Sequence, residues 1–390
     1  MILFWRVAWL AGVVYFVQGA LGIAGIALPL YLRAQGFSVT KIAFITSVAS
    51  APWFFKIVYG AISDAVPLWK LRRKPYLIIC SILSCLGWVL LGVSPPTEKW
   101  FIVSMIIANL GLAATDVITD GLIVEFSTRK SAQVYQSISW GARSLGAVLS
   151  GFAGGVLAAQ KTPQSIFLIT AALPLISLVA VIFLREKPRH HKIKLGNVLI
   201  PIRDSIRRIL QGELKWFLLL LLIISNSVAV GTPLFFYMRE TLRFDEIALG
   251  VLNSITWFGA AFGCFCFLKF FKGTSLRVAL YWAVGVGFFD ILLTLMIKNY
   301  PSAFAVSFVS GILGYMILLP LFSSAARLSH GTGVEGSLFA ILMSVFNVGQ
   351  AVAGSWGGAL YEWIGLRPLI VLTAFLVLPA FFVIPRLKSL

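Results

Sequence analysis

The chain is built from long apolar stretches separated by short polar connections, and this pattern restricts the possible folds more than any other feature. Of its 390 residues, 59% are hydrophobic and only 12% are charged. A helix needs about 20 apolar residues to cross the hydrocarbon core of a bilayer. Backbone polar groups inside a membrane must be hydrogen-bonded within the protein, so each stretch is predicted to be an α-helix. The predicted fold class is therefore an all-α membrane protein.

Twelve stretches are long enough to span a bilayer. They cover residues 5–31, 42–62, 75–93, 100–126, 132–157, 165–184, 214–237, 248–271, 275–297, 303–326, 336–361 and 368–384. The connection after the sixth stretch is longer and strongly basic, and its second part has the pattern of an amphipathic helix lying on an anionic membrane surface. We predict two six-helix bundles, residues 1–184 and 215–390, joined by a basic cytoplasmic linker at 185–214. This layout is typical of many secondary transporters.

The distribution of positive charge predicts the orientation. The formal net charge is +18, and lysine and arginine concentrate in cytoplasmic loops of membrane proteins. The connections after the second, fourth, sixth, eighth and tenth helices carry most of the cations outside the spans, which predicts both termini in the cytoplasm of an inner or plasma membrane. These cations include Lys70, Arg72, Arg73, Lys74, Arg129, Lys130, Lys269, Lys272, Arg277 and Arg327. The basic segments are not interleaved with stacking aromatics, so we expect no nucleic-acid partner.

Four charged residues lie inside the apolar stretches, where charged side chains are unfavourable. These are Lys56, Asp116, Asp120 and Arg143. An ionised side chain at the middle of a spanning helix costs about 2.5–3.5 kcal/mol on insertion scales, so such residues normally face a bundle interior or a wet cavity. The helical rise places all four about 9–18 Å from the inner surface, and we predict one cluster. Either it binds substrate or protons directly, or it is a static ion-pair network that pins the second, fourth and fifth helices.

Metal or cofactor chemistry and catalysis are not expected. The cysteines lie inside apolar stretches, and the histidines lie in predicted loops, without the spacing of metal ligands. No nucleophile with a neighbouring base is recognisable, so a membrane-embedded enzyme is not favoured. Two other classes remain alternatives to a carrier of one substrate type: a permease for another polar solute, such as a muropeptide- or nucleotide-like compound, and a non-transporting membrane sensor.

The connection between the second and third helices contains a second group of charges. Gly60 is followed by Asp64 four residues later, and Arg72 and Arg73 precede the third helix. This pattern resembles the signature loop of the major facilitator superfamily, although an insert around Pro67 and Trp69 lengthens the distance from Asp64 to Arg72. The resemblance implies that the loop braces the cytoplasmic side and controls opening.

Several further motifs are similar to those of the folate–biopterin transporter family. They are Tyr15-Phe16-Val17-Gln18-Gly19, Pro52-Trp53-Phe54-Phe55-Lys56, Tyr59-Gly60-Ala61-Ile62-Ser63-Asp64, Arg72-Arg73-Lys74-Pro75-Tyr76-Leu77, Asp116-Val117-Ile118-Thr119-Asp120 with Ile123-Val124-Glu125, Gln136-Ser137-Ile138-Ser139-Trp140-Gly141, and Gly333-Val334-Glu335-Gly336-Ser337-Leu338-Phe339-Ala340. The match is dense over about the first 155 residues and sparse afterwards. One departure is Phe126-Ser127-Thr128, which separates Val124-Glu125 from Arg129, whereas the family usually places an arginine closer.

This resemblance implies a major facilitator superfamily fold and proton-coupled import of folate- or pterin-like anions by alternating access. We expect a monomer whose partners are this small-molecule substrate, protons and membrane lipids. The expected substrate- and proton-binding residues are Lys56, Asp116, Asp120, Arg143, Trp140 and Gln136. The expected gating residues are Gly60, Asp64, Arg72, Arg73, Glu125 and Glu335.

Overall fold

A computed structural model describes residues 2–126, 132–186, 188, 195–271, 273–332 and 335–390. Within these ranges, twelve helices are long and apolar enough to cross a membrane, which confirms the predicted all-α architecture. Numbered helix 1 to helix 12 in chain order, they are Trp5–Ala34, Val39–Ala65, Lys74–Val93, Glu98–Phe126, Ser137–Gln160, Pro163–Ile182, Leu214–Thr241, Glu246–Phe270, Leu276–Met296, Tyr300–Ser329, Gly336–Ile364 and Leu366–Arg386. A further helix, Leu195–Ile209, lies in the linker and is called the linker helix.

Local sequence signals explain where several helices begin. A side-chain oxygen at the N-cap accepts a hydrogen bond from a free backbone N–H of the first turn. Thr162 caps helix 6 in this way, Asp245 caps helix 8 and Ser275 caps helix 9. Asn299 and Ser302 form a reciprocal capping box at the start of helix 10. These polar residues stop each apolar stretch from merging with the one before it.

Contacts divide the chain into two compact units. The first unit comprises Met1–Tyr31 and Val48–Ile200, and the second comprises Leu32–Ser47 and Pro201–Leu390. The predicted division into bundles of residues 1–184 and 215–390 stays a prediction. The two units divide the chain differently, because Leu32–Ser47 groups with the second unit. Two polar contacts within the second unit hold this segment: Arg33 Nε lies 2.6 Å from Glu240 Oε1, and Thr40 Oγ1 donates to Glu362 Oε2 at 2.6 Å.

The core of the first unit is formed by helices 1, 3, 4, 5 and 6. Its fully buried side chains include Leu10, Leu77, Ile118, Leu122 and Tyr135. Lipid tails are as apolar as these side chains, so burial against protein gives no hydrophobic free-energy gain over burial against lipid. Close packing therefore decides which helices contact each other. The second unit has its own core, which includes Phe217, Leu221, Leu280, Leu321 and Leu338 and also Ile209 from the linker helix.

Glycines bring helices 1 and 5 close together. A Cβ on Gly146 would lie 2.2 Å from the carbonyl oxygen of Phe16, and a Cβ on Gly19 would lie 2.1 Å from the carbonyl oxygen of Arg143. No side chain larger than hydrogen fits at these backbone contacts, which is the role of small residues in membrane helix packing. Helix 5 therefore approaches helix 1 at the turn that carries Arg143.

The contact at Gly146 predicts a difference between two substitutions on one helix. Gly146→Ala should lower the stability of the purified protein by about 1–3 kcal/mol, the usual cost of overpacking. Gly141→Ala, where a Cβ would meet nothing within 4 Å, should be neutral or stabilising by about 0.5–1 kcal/mol because alanine loses less backbone entropy. Thermal unfolding midpoints in detergent measure both. Equal midpoints for the two variants would contradict the packing described.

Candidate functional site

A break in helix 2 sets the position of Lys56. Residues Ala51–Phe55 form a 3₁₀ turn that contains Pro52, and the regular α-helix resumes at Lys56. Proline removes a backbone donor and disturbs the helix at this point. The Lys56 Nζ then lies 4.8 Å from the centroid of the Trp53 ring, and Trp53 Nε1 donates to Asn109 Oδ1 of helix 4 at 2.9 Å. Helix 2 is thus fixed against helix 4 about one turn before the lysine.

Lys56 and Asp116 form a buried ion pair. Lys56 Nζ donates to Asp116 Oδ2 at 2.7 Å, and the side chains are 20% and 5% exposed. The other oxygen of Asp116, Oδ1, accepts a hydrogen bond from Gln18 Nε2 of helix 1 at 2.8 Å. Both carboxylate oxygens therefore have partners, as a charge removed from water requires. This arrangement joins helices 1, 2 and 4.

Asp120 lies one turn further along helix 4 and has different surroundings. Its Oδ1 accepts a hydrogen bond from the Tyr15 hydroxyl of helix 1 at 2.5 Å. Among the residues that the structure describes, no lysine or arginine forms an ion pair with Asp120. Side chains four residues apart share one helix face, so the two aspartates repel each other when both are ionised. Lys56 compensates only the first of them.

Arg143 also lacks an ionic partner among the described residues. Its guanidinium carbon lies 5.2 Å from the centroid of the Trp140 ring, a distance typical of a cation–π contact. The Trp140 ring is tilted by 49° to the Tyr15 ring, with 6.3 Å between their centroids. Asp120, Tyr15, Trp140 and Arg143 thus form a connected row from helix 4 through helix 1 to helix 5, which we call the polar row.

A second cluster lies where helix 2 ends and helix 3 begins, and we call it the end cluster. Arg72 lies 2.6 Å from Asp64 and 3.2 Å from Glu125, and Arg73 lies 3.3 Å and 3.2 Å from the same two carboxylates. Arg73 is buried, and its Nη1 also donates to the carbonyl oxygen of Ile118 at 3.3 Å. Burial lowers the pKa of the Arg73 guanidinium, whereas the neighbouring Asp64 raises it. Arginine stays protonated in proteins, so the cluster is ionic.

One glycine makes room for this cluster, and a second brings helix 2 close to helix 4 beside it. A Cβ on Gly121 of helix 4 would lie 1.7 Å from Arg73 Nη1, so the guanidinium lies directly over the backbone there. A Cβ on Gly60 would lie 3.3 Å from Val117 Cγ1, a tight approach of helix 2 to helix 4. The sequence did not single out Gly121, because a glycine in an apolar span is more often a packing residue than a seat for a charge.

The structure brings together most, but not all, of the residues expected from the sequence. Lys56 meets Asp116, and Asp64, Arg72, Arg73 and Glu125 meet one another. Arg143 lies beside Trp140 and takes part in no ion pair among the described residues, but its charge is close enough to interact electrostatically with both Asp116 and Asp120. The side chains of Gln136 and Glu335 fall outside what the structure describes.

Three residues at these clusters were missed by the sequence reasoning: Tyr15, Gln18 and Glu186. Tyr15 and Gln18 are three residues apart and therefore share a face of helix 1. That spacing was the signal available in the sequence. Glu186 lies in the basic connection after helix 6, where a single acid attracts no notice.

A cavity of about 380 Å³ lies beside helix 1 but does not contain these charges. Its lining includes Trp5, Trp9, Phe16, Ile138 and Ile176. Trp5 and Trp9 are 60% and 50% exposed. A shallow apolar space with outward-facing tryptophans is typical of a surface that contacts lipid, so we do not count it as a site for a polar substrate.

Comparison with known proteins identifies the family. The sequence model of the BT1 family matches residues 18–379. The chain belongs to the BT1 family. A folate-biopterin transporter of Synechocystis sp. is 28% identical over 369 residues, covering 90% of this chain and 74% of that protein. The probable folate-biopterin transporter 4 of Arabidopsis thaliana is 25% identical and covers 92% of this chain and 89% of its own length.

Solved structures of other transporters show the same fold. The nucleoside transporter NupG has a TM-score of 0.77 at 12% identity, with 100% of each chain covered. A POT family transporter in complex with a thioalcohol-conjugated peptide has a TM-score of 0.75 at 14% identity, covering 96% of this chain and 94% of that one. These likenesses confirm the major facilitator superfamily fold. This member of the BT1 family is a multi-pass membrane transporter of small molecules and not an enzyme.

The buried ion pair predicts that removing one charge is worse than removing both. Lys56→Met leaves Asp116 buried without its cation and should lower stability by about 3–5 kcal/mol. Adding Asp116→Asn removes the stranded charge and keeps an acceptor for Gln18, so the double variant should recover part of that loss. Thermal unfolding in detergent measures each variant. Lys161→Met, at an exposed lysine, is the control, and a double variant less stable than Lys56→Met would contradict the pairing.

Proposed function

We propose that this BT1 family transporter imports folate- or pterin-like anions together with protons by alternating access. One observation carries the proposal: Lys56 and Asp116 neutralise each other in a direct ion pair, whereas Arg143 and Asp120 take part in no described ion pair. The first pair holds the bundle together. The other two residues are available for an anion and a proton. The names of the relatives, which are folate-biopterin transporters, support this class of substrate.

Arg143 is the proposed binding residue for the substrate's carboxylate. A guanidinium has five N–H donors in a planar fork and binds carboxylates through two parallel hydrogen bonds. Trp140 contacts the guanidinium through its ring, an interaction that does not use up these donors. The aromatic rings of Trp140 and Tyr15 lie in the same row and provide stacking surfaces for a flat heterocycle. An anion with a planar ring matches this combination.

Asp120 is the proposed proton-binding residue. A carboxylate inside a membrane needs a partner, and carboxylates without a cation are recurrent elements of proton pathways. The described partner of Asp120 is a neutral hydroxyl, and the neighbouring Asp116 is already negative. Binding a proton at Asp120 would remove the repulsion within helix 4, and an anionic substrate on Arg143 would compensate the cation nearby.

The end cluster is the proposed gate. Its four ion pairs join the end of helix 2, the start of helix 3 and the end of helix 4. Gly60 and Glu335 are assigned to gating on the resemblance alone, and Gln136 to substrate binding in the same way. The cation distribution supports a cytoplasmic position for this cluster and for both termini in an inner or plasma membrane. We also propose that the protein works as a monomer.

The proton assignment is tested by accumulation of radiolabelled folate in proteoliposomes with and without an imposed pH gradient. The wild-type protein should accumulate folate when the outside is more acidic, and a protonophore should abolish the accumulation. Asp120→Asn keeps an acceptor for Tyr15 but has no titratable group. This variant should therefore lose gradient-driven accumulation while still exchanging labelled for unlabelled folate.

Two results would overturn parts of this proposal separately. Vesicles with the wild-type protein that take up no more folate than protein-free vesicles would contradict the substrate assignment. Vesicles with the Asp120→Asn variant that still concentrate folate in response to the pH gradient would contradict proton binding at Asp120 and leave the substrate assignment intact.

The role of Arg143 predicts a specific kinetic change. A hydrogen bond to a charged group contributes about 1.5–3 kcal/mol, which corresponds to about a ten- to hundred-fold change in an equilibrium constant. Arg143→Gln should raise the KM for folate by that factor, and Arg143→Lys, which keeps a point charge but not the fork, should fall between. Arg203→Gln, at an arginine whose side chain is 75% exposed on the linker helix, is the matched control. An unchanged KM in Arg143→Gln would exclude direct substrate contact.

A further inference from the structure

Glu186 binds the start of helix 3 through its carboxylate. Its oxygens accept backbone N–H groups from Arg72 at 2.9 Å, from Arg73 at 2.9 and 3.1 Å, and from Lys74 at 2.8 Å. The first N–H groups of a helix have no partner within the helix, and a negative charge there is favoured by the helix dipole. Arg73, the N-cap residue of helix 3, supplies no capping side chain of its own. The cap comes instead from Glu186, in the connection that follows helix 6.

A lysine at the start of helix 3 in turn caps the end of helix 6. Lys74 Nζ donates to the carbonyl oxygens of Ile182 at 2.7 Å and Leu184 at 2.9 Å. The last carbonyl groups of a helix also lack partners, and a lysine near them is favoured by the dipole. The two helix ends therefore satisfy each other's free backbone groups, with an anion at one and a cation at the other. We call this arrangement the cross-cap.

The cross-cap and the end cluster use different atoms of the same residues. Glu186 binds the backbone of Arg72 and Arg73, whereas Asp64 and Glu125 bind their side chains. Because the guanidinium groups are not bonded to Glu186, they remain available for the end cluster. The contact with Glu186 holds the backbone of Arg72 and Arg73, and with it the points from which both side chains extend. A shift of the first turn of helix 3 would move both guanidinium groups away from Asp64 and Glu125 together.

Glu186 is also among the first residues after helix 6, on the connection that leads to the linker helix. The linker helix ends at Ile209, which is buried in the core of the second unit. The carboxylate that caps helix 3 is therefore attached to the one covalent connection running from helix 6 toward the second half of the chain. A local cap supplied from within the loop before helix 3 would have no such attachment.

We propose that Glu186 is a positioning residue for the gate: it ties the beginning of the linker to the start of helix 3 and so holds Arg72 and Arg73 in register with Asp64 and Glu125. The inference rests on the gating role proposed for the end cluster. Displacement of the linker start during the transport cycle then acts on both arginines through their backbone. In this view the linker takes part in opening and closing the gate.

Hydrogen–deuterium exchange of the full-length protein in detergent or nanodiscs tests the positioning role without needing a substrate. In Glu186→Ala, exchange at residues 72–74 should become at least ten-fold faster because three N–H groups lose their acceptor. If Glu186 positions the arginines, protection should also fall at the end of helix 2, residues 60–65, and at the end of helix 4, residues 118–126. Glu98→Gln, at a glutamate in the first turn of helix 4, is the matched control and should leave all three regions unchanged.

Two milder variants keep the test decisive if Glu186→Ala fails to fold. Glu186→Gln retains one oxygen acceptor, and Glu186→Asp retains the charge on a shorter side chain. Both should show the same three-region pattern with smaller changes. Faster exchange at residues 72–74 alone would reduce Glu186 to a local cap and overturn the inference, while leaving the proposed function untouched.

Transport kinetics supply a second measurement. A positioning residue for the gate should change how fast the carrier cycles rather than how well it binds. Glu186→Gln should therefore lower Vmax per folded molecule at least five-fold and leave the KM for folate within two-fold of wild type. An unchanged Vmax would overturn the inference. Absence of folate transport by the wild-type protein would instead count against the proposed substrate, and the exchange experiment would still decide the role of Glu186.

Discussion

The ion pair between Lys56 and Asp116 is the interaction on which the rest of the first unit depends. Two charges buried this deeply cost several kcal/mol each in lost hydration, and their attraction repays it only when every polar atom has a partner. Gln18 of helix 1 donates to the second oxygen of Asp116 and the Trp53 ring of helix 2 contacts the Lys56 ammonium, although Gln18 Oε1 is itself buried without a hydrogen-bond partner among the described residues. The pair therefore fixes three helices at once. It also leaves Asp120 and Arg143 outside the described ion pairs, although Arg143 still interacts electrostatically with both aspartates.

The two charged clusters differ in exposure, and this difference separates their roles. The difference lies in the acids: Asp116 is 5% exposed, whereas Asp64 and Glu125 of the end cluster are 38% and 41% exposed, while the cations Lys56, Arg72 and Arg73 are 20%, 18% and 6% exposed. Ion pairs at partly exposed sites contribute about 0–1 kcal/mol each, because water competes for the same groups. Contacts of this strength can break and re-form during a transport cycle. A buried carboxylate with its cation cannot do so cheaply, which supports a fixed structural role for Lys56 and Asp116 and the gating role proposed for the end cluster.

The helices and the charged positions could be predicted from the sequence, but the pairing could not. Span length and apolar content fixed the twelve helices, and the helical rise fixed the depth of the four ionisable residues. Depth does not determine which side chains pair, so the sequence could not show that Lys56 pairs with Asp116 while the Arg143 guanidinium packs on Trp140, within electrostatic range of both aspartates. Tyr15 and Gln18 were missed because neutral polar residues cost little in a span. Glu186 was missed because it caps a helix 112 residues away, and capping rules read only neighbouring residues.

The choice of substrate has to reside in a few side chains rather than in the fold. A nucleoside transporter and a peptide-binding POT family transporter share this architecture at 12% and 14% identity, so the same twelve helices accommodate unrelated solutes. In this chain the candidate for such a set is the polar row, in which a guanidinium and two aromatic rings lie within one bundle. A neutral sugar would not use the guanidinium, and a small inorganic anion would not use the rings. The proposed substrate, a planar heterocycle that carries a carboxylate, would use both, and a proton taken up by Asp120 within the row would let such an anion be carried without adding net negative charge to the membrane interior.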